Sequence, residues 1–176
     1  MPDPHYANNP SAFPMEGGCS CGHVRYRLET APLAVHCCHC TACQRESGTA
    51  FTIGLLIEAS NLSDGGGAEL IRARIPQESG EIQTVSRCPM CFNAVWTEYA
   101  SFGPHIKFVR GGTLDRAWLV QPDVHIYLKS KMDFFKFDDG KPQFEEYYDR
   151  TKVWRLESLE RWAKVLPAIM EYHESK

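Results

Sequence analysis

The placement of the cysteines constrains this chain more than any other feature of its sequence. The 176 residues contain eight cysteines, grouped at short spacings. The groups are Cys19-Ser20-Cys21, Cys38-His39-Cys40-Thr41-Ala42-Cys43 and Cys88-Pro89-Met90-Cys91, with Cys37 beside the second. Disulfide frameworks are typical of small secreted chains, whereas short-spaced cysteines elsewhere more often bind metal or carry out redox chemistry. Because the N-terminus has neither a basic nor an apolar signal region, we expect a metal-binding protein in the cytoplasm.

The spacing divides seven of these thiols between two zinc sites. A closed structural zinc site takes four protein ligands, whereas a catalytic site takes three and leaves one position open. Pairing the two-cysteine groups gives a structural site of Cys19, Cys21, Cys88 and Cys91. The remaining segment supplies the three thiols of an open site, Cys38, Cys40 and Cys43. We therefore expect two zinc ions per chain.

Three neighbouring residues are expected to lie outside both zinc sites. Adjacent side chains point to opposite faces of an extended segment, so Cys37 should point away from Cys38. His39 lies between two predicted ligands and is interpreted as a group that supports the ligands or lies at the surface. His125 falls in an apolar strand pattern, which favours a core histidine over a catalytic acid or base.

The charge of the open site limits its chemistry. Three thiolates make a zinc centre formally −1, which weakens it as a Lewis acid and disfavours hydrolysis by zinc-bound hydroxide. We hypothesise that a substrate thiol binds there, loses its proton and attacks an electrophilic carbonyl carbon, or that the reverse reaction breaks a carbon–sulfur bond. Arg45 is a candidate partner for a substrate carboxylate or a structural residue. Ser47 and Thr49 are candidates for ligand binding or for local turn capping.

Three stretches of the sequence contain these cysteines together with characteristic adjacent residues. They are Gly18–Tyr26, Cys38–Gly48 and Arg87–Cys91. Together they resemble the glutathione-dependent formaldehyde-activating enzyme family, whose domain also occurs in centromere protein V, and the likeness extends over roughly residues 17–148. The resemblance implies an Mss4-like fold, structural zinc on Cys19, Cys21, Cys88 and Cys91, and catalytic zinc on Cys38, Cys40 and Cys43. It also implies a carbon–sulfur lyase that joins glutathione to formaldehyde.

The sequence departs from the family pattern at three places. Phe92 stands where a glycine usually follows the last cysteine, Gln44 replaces the first of a frequent arginine pair, and Phe134-Phe135 stands where tryptophan is common. A phenylalanine adopts a left-handed backbone with difficulty. We therefore expect the loop after Cys91 to differ from that of the family.

The hydrophobic pattern predicts a mainly β domain of antiparallel sheets with a C-terminal helix. Short apolar runs between turn residues predict strands near Val24–Leu28, Ala50–Ile57, Ile82–Val85, Ala94–Glu98, Ile106–Val109, Val124–Leu128 and Phe134–Phe137. Residues 1–16 are expected to form an irregular N-terminal arm at the surface, residues 17–148 the zinc-binding domain, and residues 149–176 a helical extension. Apolar residues recur at helical spacing from Leu156 to Met170, and Pro167 predicts a kink or break there.

Composition narrows the range of partners and functions. The net charge of −3, from 19 basic and 22 acidic residues, does not favour nucleic-acid binding. The apolar stretches are shorter than the roughly 20 residues that span a bilayer, so no membrane partner is expected. The C-terminal helix either packs in the core or forms a homodimer surface. The alternative to an enzyme is a zinc-stabilised protein-interaction module without catalysis.

Overall fold

The computed structural model describes residues 5–65, 67–77 and 80–175. Its strands are β1 (Met15–Gly18), β2 (Arg25–Leu28), β3 (Ala34–Cys38), β4 (Thr52–Glu58), β5 (Leu62–Asp64), β6 (Ile71–Pro76), β7 (Ile82–Arg87), β8 (Ala94–Tyr99), β9 (Ile106–Arg110) and β10 (Val124–Ile126). The α-helices are α1 (Thr41–Ser47) and α2 (Leu156–Glu174). One sheet has the order β1-β2-β5, and the other has the order β10-β3-β4-β9-β8-β7-β6. The mainly β prediction with a C-terminal helix is confirmed.

The larger sheet has a core on each of its faces because successive side chains of a strand point to opposite sides. On one face, Leu55 of β4 packs in a cluster with Tyr26 and Leu28 of the smaller sheet. On the other face, Leu56 packs in a second cluster with Trp162 of α2. The order of layers is therefore small sheet, large sheet and C-terminal helix. Each fully buried side chain of this size contributes about 1.5–3 kcal/mol.

The strands pair antiparallel, as predicted, except at one edge of the larger sheet. There β10 pairs with β3 in parallel, with Val124 opposite His36, His125 opposite Cys37 and Ile126 opposite Cys38. This register places His125 beside the cysteine-rich end of β3. The apolar pattern of β10 predicted a strand but carried no information on its direction.

The N-terminal segment differs from the predicted irregular surface arm. It forms short 3-10 helices at Tyr6–Asn8 and Pro10–Ala12 and then enters β1. Tyr6 and Met15 are buried in the core on the small-sheet side. The Tyr6 hydroxyl donates to Asp123, whose carboxylate also accepts the Val35 backbone N–H at 2.8 Å. Proline and asparagine set the turns of this segment, but its buried apolar side chains fix it to the core.

One further prediction about an element was wrong. Phe134–Phe137 forms no strand; Phe135 and Phe137 instead pack their rings against Phe51 in an irregular segment. Of the kink or break predicted at Pro167, the break is contradicted, since helix α2 continues through this residue. Pro167 and Ala163 lie on the exposed side of the helix, so water can reach the carbonyl that loses its helical donor. Neither α-helix in the described part of the chain has the length and apolar character that a membrane span requires.

Candidate metal centres and cavity

Four cysteines meet where the two sheets approach each other. Cys19 and Cys21 follow β1, whereas Cys88 and Cys91 lie in the turn between β7 and β8. Their four sulfur atoms lie within 4.8 Å of one another, with 3.5 Å between Cys19 and Cys21 and 3.7 Å between Cys21 and Cys88. Thiolates around a tetrahedral zinc ion are about 3.8 Å apart, since each Zn–S distance is about 2.3 Å. The donor set and its spacing fit a closed zinc site.

Backbone N–H groups support the sulfur atoms of this four-thiol cluster. Val24 N–H donates to Cys19 Sγ at 3.2 Å, and Met90 N–H donates to Cys88 Sγ at 3.4 Å. Burial opposes ionisation of Cys19, but the Val24 N–H and the neighbouring thiols lower its pKa to about 6. Since only thiolates bind zinc, these contacts favour the ligand form of the cysteine.

The turn after Cys91 keeps the left-handed conformation that a glycine would adopt. Phe92 has φ of 60°, so this turn has a left-handed backbone in spite of the phenylalanine side chain. Its N–H donates to the Cys88 carbonyl at 2.9 Å, and its own carbonyl accepts from Arg87 at 3.0 Å. The phenylalanine side chain is 62% exposed, so no packing inside the protein explains its presence. The turn therefore carries the backbone strain of a non-glycine residue.

Three other cysteines meet at the junction of β3 and α1. Cys38 ends β3, Cys40 is the N-cap of α1, and Cys43 lies in the first turn of that helix. Their sulfur atoms lie within 4.8 Å of one another. The thiols of Cys38 and Cys43 and backbone N–H groups lower the pKa of Cys40. The structure thus brings together the three residues that the sequence assigned to an open zinc site.

The three-thiol cluster forms part of the wall of a cavity of about 610 Å³. This volume falls in the range of small-molecule sites, which is about 300–1,000 Å³. Much of the remaining wall is aromatic, from Tyr99, Phe102, Phe108, Tyr127 and Tyr147. Cys19, Cys21, Cys88 and Cys91, all in the described part of the chain, do not line it. The two cysteine clusters therefore have different surroundings. The four-thiol cluster lies where the sheets approach each other, with Cys21 exposed, and the three-thiol cluster faces a cavity.

A buried ion cluster adjoins the same cavity. Arg110 lines it and donates from Nη2 to Glu46 Oε2 at 2.5 Å, while Arg87 Nη2 lies 2.6 Å from Glu46 Oε1. One carboxylate thus faces two guanidinium groups, which leaves one net positive charge beside the three thiols. The Nε atom of Arg110 is buried without a hydrogen-bond partner among the described residues. The sequence did not identify Arg110, because a lone arginine at the end of a strand has no distinguishing pattern.

Arg45, by contrast, is not brought to the cavity. It lies in the last turn of α1, is exposed, and is absent from the cavity wall. Ser47 and Thr49 are also exposed, and their hydroxyl groups are 3.1 Å apart. Ser47 donates to the Cys43 carbonyl at 2.7 Å, as expected of local capping. The predicted substrate contact of Arg45 has no support in its position.

His36 adds a neutral polar group to the cavity wall. Its Nε2 lies 2.7 Å from the Tyr148 hydroxyl, which also accepts from Trp154 Nε1 at 2.6 Å. Since the indole can only donate, the hydroxyl proton is available for His36 Nε2; in that arrangement Nδ1 carries the His36 proton. Burial lowers the pKa of His36 to about 3, so the ring stays neutral at physiological pH. Sequence reasoning overlooked His36, because a histidine in an apolar strand usually belongs to the core.

Tyr127 lines the cavity with a left-handed backbone at φ of 60°. Hydrogen bonds on both sides hold this conformation: Tyr127 N–H donates to the Glu146 carbonyl, and Ser130 N–H donates to the Tyr127 carbonyl, each at 3.2 Å. A non-glycine residue in this region costs about 1–2 kcal/mol, and such residues cluster at functional sites. The fold therefore holds Tyr127 at the cavity in spite of a local energetic cost.

A third group of residues that could bind a metal ion was not predicted from the sequence to form a cluster. Cys37, His39 and His125 are all buried, and their ligand atoms lie within 4.8 Å of one another. Cys37 does point away from Cys38, as expected from strand alternation, and His125 does lie in the core. The expectation that His39 supports the ligands or lies at the surface is corrected in part, since it is fully buried.

Comparison with known proteins identifies the family. The sequence model of the glutathione-dependent formaldehyde-activating enzyme family matches residues 14–130. Among solved structures, a crystal structure of a Rhodobacter sphaeroides protein, a structural genomics target, matches with a TM-score of 0.47 and 20% identity over 74% of this chain and 99% of that chain. No curated protein matches the chain. The family match spans both predicted zinc sites and the β10 edge strand, and the mainly β architecture agrees with an Mss4-like fold. The chain belongs to the glutathione-dependent formaldehyde-activating enzyme family.

Proposed function

We propose that this protein is a zinc-dependent carbon–sulfur lyase or synthase that joins a small thiol such as glutathione to a carbonyl electrophile such as formaldehyde, or catalyses the reverse. The observation that carries the proposal is the three-thiol cluster on the wall of a cavity of about 610 Å³. Three protein ligands leave a position for an incoming group, whereas four close the site. A protein-interaction module without catalysis has no need of a cavity at such a cluster.

The chain offers a suitable donor set for each of the two zinc ions. Cys38, Cys40 and Cys43 would hold the catalytic ion, and the four-thiol cluster of Cys19, Cys21, Cys88 and Cys91 would hold the structural ion. The catalytic ion, when bound, would supply stabilisation of the substrate sulfur as a thiolate, which is the nucleophilic form. This chemistry suits a soft sulfur substrate better than water.

The polar residues of the cavity would stabilise the charge that develops on the electrophile. When the thiolate attacks the carbonyl carbon, a carbon–sulfur bond forms and the carbonyl π electrons move to oxygen, which then takes up a proton. The Arg110 guanidinium, which is a cation, and the neutral His36 imidazole are the cavity-wall groups that we assign to this role. Donors fixed in a low-dielectric site stabilise such an oxyanion. Arg110 therefore replaces Arg45 as the arginine of the proposed site.

The aromatic lining would exclude water and provide room beyond the reacting atoms. Formaldehyde has only one carbon, so most of the cavity would be left to the body of the thiol substrate or to a bulkier aldehyde. The rings of Tyr99, Tyr127 and Tyr147 present apolar faces with polar edges, which suit a peptide-like thiol. The position of these residues supports a glutathione-sized molecule.

Exchange NMR on the zinc-loaded full chain with glutathione and formaldehyde tests the proposal. We expect faster exchange between free aldehyde and adduct than in buffer, and a loss of at least about tenfold in Arg110→Gln, as for an oxyanion donor. Arg27→Gln, a surface arginine paired with Glu29, is the matched control and should keep the full rate. An equal loss in Arg45→Gln would restore the sequence assignment.

The catalytic metal is tested by Cys40→Ser. We expect this variant to lose one zinc equivalent and thiol binding while it stays folded. If the wild-type protein accelerated no thiol addition to formaldehyde or to larger aldehydes, and Cys40→Ser bound the thiol as well as wild type, the enzyme proposal would be wrong.

A further inference from the structure

Strand β3 carries metal-ligating residues on both of its faces. Cys38 projects toward the cavity, whereas Cys37 projects to the opposite face and His39, two residues later, follows it. His125 is the register partner of Cys37 on the parallel strand β10, so its side chain lies on the same face. The fold therefore assembles Cys37, His39 and His125 into one cluster that the proposed function does not use.

The nitrogen–nitrogen distance in this cluster is long for a hydrogen bond, and both distances from His39 Nε2 suit a metal site. His39 Nε2 lies 3.5 Å from Cys37 Sγ and 3.4 Å from His125 Nδ1. Nitrogen–nitrogen hydrogen bonds are normally shorter, at about 2.7–3.2 Å. Ligands of a tetrahedral zinc ion are about 3.6 Å apart for sulfur and nitrogen and about 3.3 Å apart for two nitrogens. Three ligand atoms thus surround a common point at the spacing of a coordination shell.

Asp139 holds the His125 ring in the orientation that a ligand histidine requires. His125 directs Nδ1 at the cluster while its Nε2 lies 2.8 Å from Asp139 Oδ2. Metal-bound histidines commonly donate their second N–H to a carboxylate or carbonyl in this way. His39 Nδ1 is buried without a hydrogen-bond partner among the described residues, and its Nε2 is the ring atom that faces the cluster.

The environment of the cluster favours a charge-neutral centre. Cys37, His39 and His125 are 2%, 0% and 1% exposed, and the Phe137 ring lies 3.8 Å from that of His125. One thiolate and two neutral imidazoles balance a monovalent ion, and the Asp139 carboxylate would balance the further charge of a divalent ion.

We propose that Cys37 Sγ, His39 Nε2 and His125 Nδ1 form a third metal site, which takes a closed-shell thiophilic ion, Zn²⁺ or Cu⁺. Thiolate and imidazole donors suit both ions, and the experiment distinguishes them. The site would join β3, β10 and the segment that contains Asp139 on the face of the sheet opposite to the cavity. It is separate from the proposed catalytic site, since its donor atoms belong to a different group.

Metal analysis of the full chain tests this site. Protein purified under reducing conditions is loaded with Zn²⁺ or with Cu⁺, desalted, and measured by mass spectrometry of the elements. We expect three metal equivalents in wild type, one for each cluster, and two in Cys37→Ala and in His125→Phe. Phe137→Leu, which changes the packing beside the site but none of its ligands, should keep all three. Two equivalents in wild type and in Cys37→Ala under both loadings would overturn the proposal.

Crystallography of the metal-loaded wild-type protein tests the same site without the use of variants, so the result does not depend on how the variants fold. An anomalous peak at the zinc or copper edge between Cys37, His39 and His125 would support the site and identify the ion. The lack of such a peak, with peaks present at the other two clusters, would reject it. Failure of the enzyme proposal is distinguishable, since Cys40→Ser removes a different equivalent and leaves this peak in place.

Discussion

Phe92 shows how a single residue bears a cost that the fold imposes. The turn that aims Cys88 and Cys91 requires φ of 60°, whatever side chain stands at position 92. Glycine populates this region freely, whereas a residue with a Cβ atom pays about 1–2 kcal/mol. Phe92 therefore occupies a backbone conformation that a glycine would adopt without this cost.

Replacement of Phe92 by glycine should therefore stabilise the zinc-loaded protein. We expect the free energy of unfolding of Phe92→Gly to rise by about 1 kcal/mol, less than the full strain because glycine also gains freedom in the unfolded chain. Denaturant titration measures the change. Phe92→Ala is the matched control, since it removes the exposed ring but keeps the Cβ atom, and it should change stability little. Equal stabilisation by alanine and glycine would contradict the strain argument.

Glu46 places its carboxylate between two arginines in a buried ion cluster. Its side chain is 7% exposed and accepts from both Arg87 and Arg110, so its removal leaves two guanidinium groups facing each other. We expect Glu46→Gln to lower the free energy of unfolding by about 3 kcal/mol, as for a broken buried ion pair. Urea denaturation measures it. Glu16→Gln, whose exposed carboxylate lies 3.6 Å from Arg25, should cost less than about 0.5 kcal/mol. A similar loss in both variants would show that burial does not matter.

At the scale of elements, the sequence identified the strands that form separate apolar runs. β4, β7, β8 and β9 were predicted within a few residues, because each is bounded by turn residues. β3 was missed because its second half is Cys37-Cys38, which propensity does not describe, and β6 was missed because Arg72 and Arg74 alternate with weakly buried residues. Partner and direction depend on contacts distant in sequence, so the parallel pairing of β10 had no local signal.

Helix α2 docks through one buried charged contact as well as through its apolar face. Arg161 donates from Nε and Nη2 to Glu58 of β4, at 2.9 and 2.5 Å, and from Nη1 to the Ala31 carbonyl at 2.7 Å. The guanidinium thus connects the helix to the C-terminal end of β4 in the large sheet. Such a bidentate pair is stronger than a surface ion pair, and its loss leaves Glu58 buried without a partner.

Truncation of Arg161 should therefore loosen the helix. We expect Arg161→Ala to lower the free energy of unfolding by about 3 kcal/mol, measured by chemical denaturation, with faster amide exchange in α2 than in β4. Lys164→Ala, an exposed position on the same helix, should stay within about 0.5 kcal/mol of wild type. If the two variants were equally stable, the ion pair would have no role in docking.

At the scale of the whole molecule, the sequence predicted how seven cysteines are grouped into two clusters, but it did not predict the third cluster. Short spacing predicted which cysteines share a site, because C-x-C and C-x-x-C segments bring thiols together by local turns. The pairing of Cys19 and Cys21 with Cys88 and Cys91 also followed from ligand number. Cys37, His39 and His125 could not be grouped, since His125 reaches them only through the register of β10. Arg110 and His36 required the same three-dimensional information.

The four-thiol cluster connects the two sheets in addition to the apolar packing between them. Cys19 and Cys21 follow a strand of the three-stranded sheet, and Cys88 and Cys91 lie in a turn of the seven-stranded one. Structural zinc supplies about 10–16 kcal/mol of apparent binding free energy, which is as large as the whole stability of a typical domain, about 5–15 kcal/mol. We therefore expect loss of the proposed structural ion to unfold the chain, whereas loss of the proposed catalytic ion, held by residues close together in sequence, should not.

A pair of matched cysteine variants tests this difference between the two centres. We expect Cys88→Ser to lose its cooperative melting transition in circular dichroism, because the remaining three thiols leave the sheets without a closed metal centre. Cys43→Ser should lose one zinc equivalent but keep a cooperative transition, since its partners Cys38 and Cys40 are held by β3 and α1. A strong chelator should likewise release the proposed catalytic ion before the protein unfolds, because three thiols hold that ion with one position open, whereas four thiols would close the other site. A native-like melting curve for Cys88→Ser would mean that hydrophobic packing between the sheets suffices without the metal.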